Sequence, residues 1–295
     1  MRLEITLKDS YRECEKIAKS RAKNFYYAFS VLPKPKRRAI CAMYAFMRYC
    51  DDISDGDERL GDSKESGLKQ WRNALTSAME GEYGNSAIMP AFHDAILQFG
   101  IPVGYFHELI DGAEMDLSIN RYGTFEDLYK YCYRVASVVG LVCIYIFGFK
   151  DEEAKVYAES CGIAFQLTNV LRDVKEDAER NRIYLPLEDL NKFGYSEDDL
   201  LHGVMDDRFR ALMKFEVDRA AEFYERSTPL LSMVDPGSRP GLCALIGIYS
   251  TLLHRIEETG YDVLSCRVAL STKEKLSIAA KSFLGGRPSG SECDE

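Results

Sequence analysis

The property that most constrains this chain is a helical periodicity sustained over nearly its whole length. Apolar residues recur three and four positions apart, and runs that alternate β-branched with polar residues are absent. Strands are therefore not expected, and an all-α fold is. A first helix is predicted over 8–32, stopped by Pro33 and Pro35, and a second over 36–54, with Ile40, Met43, Tyr44 and Met47 on one stripe. Residues 56–67 read as a polar loop rich in glycine and acids. Further helices are predicted over 68–79, 89–99, 103–119, 124–147, 152–177, 205–231, 241–259 and 272–283, with the pattern broken between 178 and 194 around Pro186. There is no internal repeat and no Pro- or Ser-rich linker. One all-α domain is expected over 1–284, followed by a polar tail over 285–295.

Composition narrows the function. The net charge of −9 argues against a nucleic-acid binder, which would show a basic face. The first ten residues carry Arg2, Glu4, Lys8 and Asp9, without the apolar stretch of a secretory signal. The uncharged run over 135–149 falls short of the roughly 20 residues that span a bilayer, and reads as a buried core helix. Nine cysteines without a C-x-x-C pair point to reduced thiols and a cytoplasmic chain.

Two acidic clusters carry the chemistry. In the first, Arg48-Tyr49-Cys50-Asp51-Asp52-Ile53-Ser54-Asp55, Asp51 and Asp55 share one helical face, which Arg48 and Tyr44 extend. In the second, Gln166, Asn169, Asp173 and Asp177 are spaced three, four and four, and Arg172 adjoins them. Stacked carboxylates repel, and a cation removes that cost. Oxygen donors without nearby His or Cys suit a hard ion, Mg²⁺ or Mn²⁺. A lone D-x-x-x-D is usually a solvated helix end. Two of them, each on an otherwise apolar helix with an arginine beside it, suggest facing half-sites that clamp a diphosphate.

These residues resemble the squalene/phytoene synthase family of head-to-head prenyl synthases, over about residues 20–283. The likeness rests on Asp51-Asp52-Ile53-Ser54-Asp55, on Tyr131-Cys132-Tyr133-Arg134-Val135-Ala136-Ser137-Val138-Val139-Gly140, and on the run from Gly162 through Gln166, Asn169, Arg172-Asp173 and Asp177 to Arg182-Ile183-Tyr184-Leu185-Pro186. The wording of that last run is similar to bacterial hopanoid- and carotenoid-pathway members, and the chain most resembles bacterial presqualene diphosphate and squalene synthases. The resemblance implies an isoprenoid-synthase-type helical bundle around a central apolar cavity. It implies Mg²⁺ on Asp51, Asp55, Asn169, Asp173 and Asp177. Diphosphate contacts fall to Tyr44, Arg48, Gln166, Arg172, Tyr249 and Arg267, and Tyr131 lies by the reacting carbons. Many relatives carry a serine pair before the position of Phe25. Here Arg21-Ala22-Lys23-Asn24 stands instead, which leaves backbone N–H groups, Lys23 or Asn24 to replace it.

The implied chemistry ionises a prenyl diphosphate and lets a second molecule's double bond attack the allylic cation. Proton loss then leaves a cyclopropyl diphosphate. Carbocations must be kept from water, so an aromatic cavity with Phe25, Tyr44 and Tyr131 is expected. Phe29 follows Phe25 by one turn and matches a family position where a ring limits pocket depth. It favours two C15 farnesyl diphosphates, giving presqualene diphosphate; the residues leave open whether the reaction stops there or continues to squalene, which requires NADPH, or to dehydrosqualene. The alternatives are a phytoene synthase that joins two C20 geranylgeranyl diphosphates and a non-catalytic assembly factor. A monomer or homodimer with peripheral contact at the inner face of the membrane is expected. Lys34, Lys36, Arg37 and Arg38 read as a solvated helix start, the four histidines as structural or surface groups, Arg134 as the partner of an acid, and Asp111, Glu114 and Asp116 as a surface run.

Overall fold

The computed structural model describes residues 5–22, 25–54, 56 and 63–285. Among them the secondary structure is helical apart from two isolated bridges, Arg121 with Ile183 and Phe149 with Val234. In chain order the helices are α1 (Leu7–Arg21), α2 (Phe25–Ser30), α3 (Lys34–Ser54), α4 (Lys64–Met79), α5 (Met89–Phe99), α6 (Gly104–Ser118) and α7 (Phe125–Cys132). A π-helical turn, Tyr133–Ser137, joins α7 to α8 (Val138–Phe147). Then come α9 (Ala154–Arg172), α10 (Val174–Glu179), α11 (Leu187–Lys192), α12 (Glu197–Leu201), α13 (Asp207–Ser227), α14 (Leu230–Met233), α15 (Arg239–Glu258) and α16 (Thr272–Phe283).

Local chemistry explains most boundaries. Thr6, Ser63, Thr124, Ser196, Asp206 and Ser271 cap helix starts by accepting from exposed backbone N–H groups. Pro90 occupies the first turn of α5, where its missing N–H costs nothing, and Gly100 closes that helix at φ 61°. Two predicted helices break without a local signal, and the one predicted over 205–231 also stops, at Ser227 just before Pro229. The first stops at Ala22, whose ψ of 58° leaves the helical region, and α2 begins at Phe25. The other stops at Asp173, where φ is −101° and ψ 11°. Neither break involves proline or glycine, so neither shows in the residue pattern.

The apolar side chains form two clusters. One gathers α1 to α6 and α8, and the other gathers α7, α9, α13 and α15. Phe25, Tyr133 and Phe165 pack against both. The segment Phe125–Phe147 is long and apolar enough to cross a membrane by length and composition, and half of its most apolar window is buried among neighbouring helices. Its π turn is wedged between α6 and α9. A Cβ on Gly112 would stand 2.8 Å from Val135 Cγ1, and one on Gly162 would stand 2.5 Å from Ser137 Cα. Only glycine permits this approach, which seats the turn after Tyr131 directly against α9. All described cysteines are free thiols, most of them buried.

Candidate active site

A cavity of about 340 Å³ lies on the seam between the two clusters. Three of its helices share one polarity. Along α3 the lining runs Ile40, Met43, Tyr44, Met47, Cys50, Asp51, Ser54; along α6 it runs Leu109, Ala113, Asp116; along α9 it runs Ala158, Cys161, Gly162, Phe165, Gln166, Asn169. Each passes from apolar to polar toward its C-terminus. On α3 that gradient covers about 21 Å at 1.5 Å per residue. The segment from Tyr131 to Phe147 runs the other way, with Tyr131 at the polar end. The result is an apolar chamber closed by an acidic rim, and the rim is built at helix C-termini, where the backbone dipole favours cations.

The first motif sits on the last turn of α3. Arg48 Nη2 is 2.6 Å from Asp52 Oδ1, and Nη1 is 3.6 Å from Asp51 Oδ2. Arg21 reaches the same Asp52 from the end of α1, at 2.5 Å. Among the described residues Arg48 Nε is buried without a hydrogen-bond partner. Tyr44 lies one turn before Arg48, and burial pushes its hydroxyl up to about 12. Asp55 and Asn24 lie outside the described residues.

The second motif sits where α9 gives way to α10. Although the helix breaks at Asp173, the backbone bonds Asp173 N to Asn169 O and Asp177 N to Asp173 O are both 2.9 Å, so the four-residue spacing survives. Arg172 grips Asp173 through two nitrogens, one of them at 2.8 Å. Arg267 reaches the same carboxylate at 2.8 Å and Glu176 at 3.3 Å. Burial lifts Asp177 to about 7, and the charge of Asp173 adds to the rise. Gln166 and Asn169 line the cavity and lie 3.4 Å apart.

The cavity therefore brings together Tyr44, Asp51, Tyr131, Gln166, Asn169, Tyr249, Phe25 and Phe29. Arg48, Arg172, Arg267, Asp173 and Asp177 stand behind that lining, tied into the two motifs. Phe29, Phe25, Tyr249 and Phe165 form a run of rings with successive centroids 5.8, 5.6 and 4.4 Å apart. Among the described residues no three acidic, His or Cys groups are close enough to form a metal site by themselves. The donors still suit a hard divalent cation. They are oxygens, they sit at helix C-termini, and Asp177 carries an unfavourable charge that such a cation would stabilise.

The reading of Asp111, Glu114 and Asp116 as one surface run is corrected. Asp111 and Glu114 bind Arg72 at 2.6 and 3.0 Å. Asp116 stands about 140° and 160° from them around the helix at 100° per residue. It faces the cavity, where it accepts hydrogen bonds from Tyr131 (3.1 Å) and Tyr184 (2.8 Å). Tyr184 and Phe165 also join the site, though no spacing in the sequence assigns either a role. No periodicity marks Asp116, because its partners come from other segments of the chain. The basic helix start is also partly structural, since Lys36 Nζ donates to Phe147 O, Asp235 and Ser238. Arg134 pairs with Glu108 at 3.2 Å, as expected.

The model of the squalene/phytoene synthase family matches residues 18–274. The chain belongs to that family. It is 38% identical to the 15-cis-phytoene synthase of Synechococcus elongatus, over 92% of this chain and 91% of that protein. It is also 38% identical to the phytoene synthase of Arthrospira platensis, over 94% and 93%. Among solved structures it resembles a dehydrosqualene synthase, with a TM-score of 0.87 and 30% identity over 95% and 97% of the two chains. Squalene synthase HpnC from Alicyclobacillus acidocaldarius superposes with a TM-score of 0.81 and 30% identity, over 86% and 95%. The fold is thus the isoprenoid-synthase helical bundle, and the chain is a prenyl transferase that performs head-to-head condensation.

Proposed function

We propose that this enzyme joins two C20 geranylgeranyl diphosphates into phytoene. The supporting observation is the level of likeness: phytoene synthases reach 38% identity over more than nine-tenths of the chain, and the C30-type structural neighbours reach 30%. The depth argument from Phe29, which favoured two C15 chains, gives way. Phe29 does line the cavity, but its ring stacks on Phe25 as part of the aromatic run, and that position alone sets no chain length.

In this reading Arg48, Arg172 and Tyr44 orient the diphosphates at the acidic rim, with Gln166, Tyr249 and Arg267 as further contacts. Asp51, Asp55, Asn169, Asp173 and Asp177 hold Mg²⁺ there. When bound, that cation supplies Lewis-acid neutralisation of the departing pyrophosphate. The guanidinium groups add charge-assisted hydrogen bonds to the same oxygens. The prenyl chains lie in the apolar chamber, where water is excluded and the rings of Phe25, Phe165 and Tyr249 face the cationic carbons. Two deprotonations complete the sequence, one closing the cyclopropane and one forming the central double bond. No reductant is required, so NADPH has no part.

The test is one incubation of purified protein with Mg²⁺ and each prenyl diphosphate, products read by mass spectrometry. Phytoene from the C20 substrate is expected, with no change on adding NADPH. A preference for farnesyl diphosphate, yielding presqualene diphosphate, squalene or dehydrosqualene, would overturn the substrate assignment.

A further inference from the structure

Asp116 is a carboxylate at the polar end of the cavity, where α6 meets the acidic rim, and both of its oxygens are used. Tyr131 donates to Oδ2 at 3.1 Å and Tyr184 donates to Oδ1 at 2.8 Å. Arg182 donates to the Asp116 backbone carbonyl at 3.2 Å, which holds the end of α6 against the segment carrying Tyr184. The rings of Tyr122 and Tyr131 both stack on that of Tyr184 and are tilted 40° to each other, with centroids 5.2 to 5.8 Å apart. Among the described residues Tyr122 OH is buried without a hydrogen-bond partner, so its ring, not its hydroxyl, serves this cluster.

A phenol has one proton to donate. With that proton directed at Asp116, the Tyr131 oxygen has only lone pairs left for the cavity. A hydroxyl free to rotate would at times present its proton to a carbocation and would disfavour it. Burial and the charge of Asp116 both hold Tyr131 well above the ordinary phenol range, so it stays a neutral phenol until a proton arrives.

We propose that Asp116 is a positioning residue for the reaction assigned above: it fixes Tyr131 as a lone-pair acceptor and takes the phenol proton as Tyr131 receives one from the substrate. The step balances. A C–H bond beside the cationic carbon breaks, and its electron pair becomes the new carbon–carbon bond. The proton passes to the Tyr131 oxygen, and the original phenolic proton passes to Asp116 Oδ2. Tyr184 holds the other carboxylate oxygen and so keeps Oδ2 turned toward Tyr131.

The experiment is a double-mutant cycle with Asp116→Asn, Tyr131→Phe and the pair, plus Tyr184→Phe. It is run on whichever prenyl diphosphate the wild type consumes. Each of the first two variants is expected to lower kcat about 100-fold or more, the range of general acid–base catalysis, with KM within about threefold. The double variant is expected to be no slower than the slower single one, because both remove the same proton path. Tyr184→Phe is expected to cost less than about tenfold, since the Tyr131 bond to Asp116 remains. Multiplying losses in the double variant, KM rising in step with the fall in kcat, or an Asp116→Asn kcat within about threefold of wild type would each overturn the proposal. If Asp116→Asn loses its helical CD spectrum, Asp116→Glu enters the cycle under the same criterion. Turnover of the C15 substrate in place of the C20 one refutes the substrate assignment alone, because the coupling is then measured on that substrate. A wild type inactive on both refutes both.

Discussion

The two aspartate motifs share a four-residue spacing with an arginine nearby and differ sharply in surroundings. Asp51 is 58% exposed and lies 3.6 Å from a guanidinium that is itself 30% exposed. Asp173 is 20% exposed and gripped by an arginine that is 13% exposed. One motif ends a straight 21-residue helix beside a stretch of chain outside the described residues, and the other occupies a helical break packed into the second apolar cluster. Similar ligand spacing is therefore held at two different electrostatic costs. In the first, Asp51 is open to solvent; in the second, Asp173 is largely desolvated and paired with Arg172.

The largest effects should separate the two. Asp51→Asn and Asp173→Asn both remove assigned metal ligands, and each should lower turnover by more than the roughly 10–100-fold that loss of an outer-shell metal partner costs. Their stabilities should diverge. Asp173→Asn leaves the buried Arg172 charge poorly paired, at a cost of roughly 3 kcal/mol. Asp51→Asn should cost less than about 1 kcal/mol, as for other exposed pairs. Urea unfolding followed by CD measures both, and equal losses would erase the distinction.

The pH dependence sharpens it. Asp177 is raised from its ordinary value to about 7, so between about pH 4 and 7 the folded chain binds a proton that the unfolded chain does not. Its stabilising effect is complete below pH 4 and is lost as pH rises through 7. In EDTA, Asp177→Asn should melt higher than wild type at pH 8 and level with it at pH 4. Added Mg²⁺ should raise the wild-type Tm at pH 8 and leave that of the variant nearly unchanged. A pH-independent difference between the two proteins would refute the assignment of a desolvated ligand.

The smallest effect belongs to Arg267, which is 53% exposed and reaches the second motif from outside. Arg267→Ala should change stability by less than about 1 kcal/mol. Its effect on activity should appear in KM for the diphosphate and not in kcat. A stability loss as large as that of Asp173→Asn would show that the buried half-site depends on its outer partner.

Several elements were legible from spacing alone. Helix α5 and helix α16 match their predicted spans to the residue, because proline or a serine cap and a clear apolar stripe mark them. The pairing of Arg48 with Asp51 and of Arg172 with Asp173 was legible because each pair lies within one turn of chain. The break at Ala22, the turn at Asp173 and the inward face of Asp116 were not. At each of them a contact arrives from a segment distant in sequence: Tyr249 on Phe25, Arg267 on Asp173, Tyr184 on Asp116.

The sequence by itself thus determined an all-helical chain with two acidic, arginine-flanked half-sites and an aromatic lining, since periodicity and i, i+4 spacing are local properties. The tertiary structure alone decided that these helices share one polarity around a cavity, that one motif is wet and the other dry, and that a tyrosine hydroxyl is turned by a carboxylate from another helix. Those outcomes depend on desolvation and on which helix ends meet, and neither is encoded within the reach of one turn.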